Sequence, residues 1–183
     1  MLLEFQKALA EEMKRITASM LFTNEKGETT ALNVFEQVLP LKRAVVGSTG
    51  DTQETESDED ALPFDEGIMS PEETEPFPYC VVRVNDGEQQ DPYSPHYVYV
   101  EIIIGIYEKE RVKAYQGVVN IIQAFMERFY KNPTLDGRYR MKGKDEKSNV
   151  QWTIEEGETI SYFFGGIAMT WQLPAYRLED DLS

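Results

Sequence analysis

The sequence predicts an α+β domain, a mixed or antiparallel sheet with two main helices packed on one face. Three observations predict it. Two long runs, YVYVEIIIGIY at residues 97–107 and YFFGGIAMTWQL at 162–173, are rich in β-branched and aromatic residues. Two other stretches repeat their apolar residues at spacings of three and four, the period of a helix. The later strands are joined mainly by short turn-forming segments, which favours antiparallel neighbours.

The elements follow in chain order. Residues 2–22 read as a helix whose apolar stripe is Leu2, Phe5, Leu9, Met13, Ile16 and Met20, with Glu4, Lys7, Glu11, Lys14 and Arg15 on the other faces. Residues 24–27 carry turn chemistry. LNVFEQVL at 32–39 alternates as a strand, and Pro40 ends it. YCVVRV at 79–84 is a short β-branched run closed by the turn signal Asn85-Asp86-Gly87. Residues 89–96, with Pro92 and Pro95, form a loop before the strand at 97–107. Gly105 in that strand predicts a bulge or a close backbone approach. Residues 115–130 are helical, with Val118, Ile121, Ile122, Phe125, Met126 and Phe129 on one broad face, and Asn132-Pro133 stops them. A polar, basic connection at 134–149 leads to strands at 150–155 and 162–173. Gly165-Gly166 in the last one predicts a bulge or bend, and Pro174 ends it. The expected domain is residues 1–176, carrying an acidic inserted loop at 48–76, with an acidic tail at 177–183.

That loop holds most of the charge. The 39 residues between Arg43 and Arg83 contain no Lys or Arg, and residues 51–75 contain 11 acids. Without those 11, the 33 acids of the chain fall to 22 against 18 bases, and the net charge moves from −15 to −4. Such a run is self-repelling and too poor in apolar residues to join a core. Asp51, Glu54, Glu56, Asp58, Glu59 and Asp60 are its densest part. They lack the ligand spacing and central glycine of a Ca²⁺ loop, so a solvated loop outweighs a cation site.

Chemistry-bearing residues are few. With one Cys, Cys80, and one His, His96, the chain builds neither a disulfide scaffold nor a Cys-based zinc finger, and Cys80 reads as a small buried strand residue. No phosphate-cradling glycine motif and no G-x-S-x-G elbow occurs. The expectation is therefore a protein that is not an enzyme, with no cofactor and no metal. The first residues, acidic from Glu4 onward, do not read as a signal peptide, and no apolar run reaches the roughly 20 residues that span a bilayer. Contact candidates are the bases Arg138, Arg140, Lys142, Lys144 and Lys147, with Asp145 and Glu146 among them, and the aromatics Tyr97, Tyr99, Tyr107 and Trp171.

Five motifs then occur in order: FPYCVVRVNDGE, VEIIIGIYE, AYQGVVNIIQAFMERFYKNP, QWTIEE and YFFGGIAMTWQLP. In that order, with an N-terminal helix and NVFEQVLPLK before them, the chain resembles a family of small tail proteins of long-tailed bacteriophages and prophages, and within it the tail terminator group. The resemblance covers most of residues 1–176. It implies an α+β fold and a homohexameric ring on the last ring of tail tube, which ends tube growth and offers a surface to the head connector or neck proteins. It further implies a place in the virion tail, after assembly in the host cytoplasm, contact with a sheath where the tail is contractile, and DNA only as cargo passing through the lumen. It implies no membrane partner and no catalytic residue. Two other readings stand beside it, a head-side completion or neck protein, and an acidic binding protein that mimics DNA or inhibits a nucleic-acid-binding protein.

Overall fold

The computed structural model describes residues 1–40, 77–142, 150–157 and 161–175. The fold is α+β. One mixed, seven-stranded sheet has both helices on a single face. Helix α1 spans Leu2–Thr17 and α2 spans Arg111–Lys131. The sheet runs β3 (Asn33–Glu36), β4 (Tyr79–Glu88), β5 (His96–Tyr107), β9 (Tyr162–Leu173), β7 (Tyr139–Met141) and β6 (Thr134–Leu135), and β8 (Gln151–Glu156) also pairs with β9. Only β3–β4 is parallel. Strands β1 (Phe22–Thr23) and β2 (Thr29–Thr30) make a separate small hairpin.

The period-two rule of strands decides which side chains are core. On β5, Val98, Val100, Ile102, Ile104 and Ile106 are buried, and they face Trp171, Met169, Ile167, Gly165 and Phe163 of β9 across the ladder. Cys80 and Val82 of β4 continue the rows on the other side. Phe5, Leu9 and Met13 of α1, and Val118, Ile121, Phe125 and Phe129 of α2, close over this face. Helix α1 lies over β3 and β4, and α2 over β5, β8 and β9. The aromatic centre of the core is Trp171, with ring centroids 5.3 Å from Phe5 and 5.1 Å from Phe129.

Two glycines are there for space. An added Cβ on Gly165 would stand 2.4 Å from Cγ1 of Val118, so a side chain at this position would push α2 off the sheet. On the opposite face, a Cβ on Gly105 would stand 2.4 Å from the ring of Tyr79. The β5–β9 register is continuous from His96 to Tyr107, so neither place is a bulge, and at Gly105 the alternative holds, a close approach to the backbone by the Tyr79 ring.

Other boundaries differ for local reasons. Helix α1 stops at Thr17, five residues short of the expected end. There the Thr17 hydroxyl donates to the Met13 carbonyl, and Asn24 forms a turn whose side-chain oxygen accepts from the Lys26 and Glu28 amides, drawing Phe22 into the β1–β2 hairpin. Asn85-Asp86-Gly87 is no turn. Pairing with β5 carries β4 through it to Glu88, and the register absorbs one residue as a bulge between Val84 and Asp86. The connection at 134–149 contains a small hairpin, β6–β7, before residues 143–149, which lie outside the description. Strand β3 ends at Gln37, whose φ is 68°. The Gln37 side chain then replaces the ladder, donating to the Val84 carbonyl and accepting from the Val84 amide, both at 3.1 Å.

Candidate functional site: the open face of the sheet

Both helices cover the same side, so among the described residues the other face of the sheet carries no helix. Its residues are the ladder positions between the core ones. On β5 these are Tyr97, Tyr99, Glu101, Ile103, Gly105 and Tyr107, facing Gln172, Thr170, Ala168, Gly166, Phe164 and Tyr162 of β9. A shallow groove of about 480 Å³ runs along the middle, lined by Tyr99, Glu101, Ile103, Thr153, Glu155 and Phe164.

One end of this face is aromatic. Phe77 lies 4.9 Å from both Tyr79 and Tyr162, ring centre to ring centre, and Tyr107 lies 5.2 Å from Tyr162. The Tyr162 hydroxyl donates to Glu25 at 2.8 Å. The other end combines aromatic rings with cations. Tyr97, Gln172 and Arg140 form one cross-strand row. The Lys142 amide donates to the Thr170 carbonyl at 2.9 Å, which continues β7 alongside β9. That places the Lys142 ammonium 5.6 Å from the centre of the Tyr97 ring. Tyr99, 39% exposed, completes the patch.

The expected contact residues therefore part company. Tyr97, Tyr99, Arg140 and Lys142 come together on the open face. Arg138 does not join them. It precedes β7, 3.8 Å from Glu4 of α1 and 4.8 Å over the Tyr139 ring. Trp171 is a correction. It is a β9 residue of the helix-facing set, fully buried between Phe5 and Phe129, and offers no surface. Tyr107 lies on the open face, at its aromatic end. Lys144, Lys147 and the acids Asp51, Glu54, Glu56, Asp58, Glu59 and Asp60 lie outside the described residues.

Sequence reasoning missed Trp152, Phe77 and Phe164. The signal for Trp152 is in QWTIEE, where Trp152 and Ile154 fall on one face of β8 and Gln151, Thr153 and Glu155 on the other. Phe77 carries no period of its own and is placed by Tyr79 and Tyr162.

Cys80 is buried, and burial pushes its thiol up to about 12, far from the thiolate needed in a nucleophile. The Arg15 guanidinium holds the Glu12 carboxyl below its ordinary value, assisted by Arg128 and opposed by partial burial. This trio ties α1 to the end of α2, where Arg128 also donates to the Asn132 carbonyl at 2.6 Å. Among the described residues no group of three or more His, Cys, Asp and Glu is placed to hold a metal ion. No helix among them is long and apolar enough to cross a membrane. No family model matches the chain, and no curated protein matches it.

Proposed function

We propose that this chain is a structural protein of a phage or prophage tail, forming a homohexameric ring that caps the tail tube and presents a surface to the head connector. The motif order carries the proposal. FPYCVVRVNDGE, VEIIIGIYE, AYQGVVNIIQAFMERFYKNP, QWTIEE and YFFGGIAMTWQLP fall on β4, β5, α2, β8 and β9, the elements that make the sheet and its main covering helix. Each motif alone is ordinary strand or helix chemistry.

The open face supplies the contact. A ring closes through heterologous contacts, one patch of a subunit meeting a different patch of the next. Tyr97 and Tyr99 are the amphipathic aromatics that such contacts favour, and Arg140 and Lys142 beside them suit an acidic neighbour. Protein contact is the reading for this patch, because Glu88 and Asp86 stand across from Tyr97 and Tyr99 on β4 and would repel a phosphate backbone.

The test is capture of tail tube protein. The chain, immobilised by a terminal tag, retains assembled tube protein, and native mass spectrometry of the eluted material shows six copies at a tube end. Retention of a portal-side ring in place of tube protein moves the assignment to the head-side neck. Retention of basic nucleic-acid-binding proteins alone moves it to an acidic binding protein.

A further inference from the structure

Strand β8 is the last strand on its side of β9, and among the described residues nothing pairs with its outer edge. An open strand edge is a row of backbone donors and acceptors ready for another strand. This edge carries its charged residues, Glu155 and Glu156, at one end only. It has no Lys or Pro, and Trp152 on it is 58% exposed. Beneath Trp152, on the helix side, lies an apolar groove of about 240 Å³ lined by Tyr115, Val119, Ile122, Met126 and Ile154.

We infer that a second copy of this chain covers the edge, its β8 pairing antiparallel with the first about a two-fold axis at Thr153. The side-chain pattern selects this register. Residues facing each other in an antiparallel pair lie on the same side of the sheet. Centred on Thr153, the pairing sets Trp152 against Ile154 of the second copy on the helix side, twice by symmetry. It sets Gln151 against Glu155 on the open side, an amide opposite a carboxylate, and Thr153 against itself. A shift of one residue would set residues of opposite faces against each other.

Charge selects the direction. β8 ends in Glu155 and in Glu156, which pairs with Arg111 of its own chain. Antiparallel pairing keeps the acidic ends of the two copies apart. Parallel pairing would stack Glu155 and Glu156 on their own counterparts. The contact is isologous and closes at two copies, so it is distinct from ring closure through the open face and does not rest on it.

Cross-linking tests it on the full chain. Facing Cα atoms in such a pair stand about 4.5–5.5 Å apart, within disulfide span. The native Cys80 is fully buried and stays out of the reaction. Thr153→Cys, mildly oxidised, gives a covalent dimer and nothing larger. Gln151→Cys alone does not, and Gln151→Cys with Glu155→Cys does. Trp152→Glu halves the mass measured by light scattering while the circular dichroism spectrum is unchanged. A folded Thr153→Cys chain that cross-links no faster than Gln151→Cys overturns the pairing, as does a wild-type chain whose mass is that of one copy at every concentration. Tube capture unaffected by either result separates this inference from the ring.

Discussion

At the residue scale, fit rather than chemistry fixes the important positions. Gly165 lets α2 come down onto β9, with Val118 where a Cβ would be. Gly165→Ala should cost about 1–3 kcal/mol, the usual range for overpacking a core. Val118→Ala should recover part of that loss, and urea denaturation of the four chains of the double-mutant cycle measures the coupling. Cys80 gives a second prediction. With its thiol pushed up to about 12, it should resist a thiol reagent at pH 8 in the folded chain and react at once in denaturant. Glu12 gives the pH dependence. Its carboxyl is held below the ordinary value of 4.5 in the folded chain, by Arg15 first and then Arg128. The unfolded state therefore takes up the proton first as pH falls. The stability contributed by this group is full above 4.5 and is lost as the pH drops through the lower folded value. Glu12→Gln should flatten that part of the acid limb in a melting series, and an acid limb identical to wild type would show that the trio does not contribute.

At the element scale, the chain divides into strands that announce themselves and joints that do not. The strand at 162–173 was legible as a strand from its β-branched and aromatic run, and its burial alternates through all twelve positions. The helix at 115–130 was legible for the same reason, although its exposed first turn from Arg111 carries no stripe. Strands β1, β2 and β6, of two residues each, are too short for any period to register. Asn85-Asp86-Gly87 has strong turn chemistry, but the ladder with β5 overrode it. Of the site, residue types were legible and sides were not. Tyr97, Tyr99 and Trp171 were alike contact candidates, yet the first two lie on the open face and Trp171 is buried, because a sequence shows which residues alternate but not which set the helices cover. The open-face patch yields a prediction here. Tyr99→Ala with Arg140→Glu should alter stability by no more than about 0.5 kcal/mol each, as surface changes do, while weakening tube capture. Calorimetry and the capture assay together check this, and a destabilised but fully capturing variant would remove the patch from the account.

At the scale of the whole molecule, the described residues make a sheet and a core without the acidic run. Strands β3 and β4 pair in parallel over four residues, so their connection needs to return only about 13 Å. The sequence between Glu36 and Tyr79 is far longer than that return requires. Replacing 48–76 with a short Gly/Ser linker should keep the fold. A shorter loop costs less closure entropy, so stability should rise by up to about 1 kcal/mol. A collapse of the thermal transition would instead make the acidic run part of the folded core. The same deletion takes the 11 acids of residues 51–75 out of a net charge of −15. If acidic residues of one subunit meet the bases at 138–147 of the next, ring formation in the wild type should weaken in high salt, and the deleted chain should lose that salt dependence. The central claim is that the folded unit ends a tail tube. Electron microscopy of tube protein polymerising with and without the chain tests it most directly. The account predicts tubes that stop growing and carry a ring of this protein at one end. Tubes that lengthen unchecked, with bare ends at saturating chain, would contradict it.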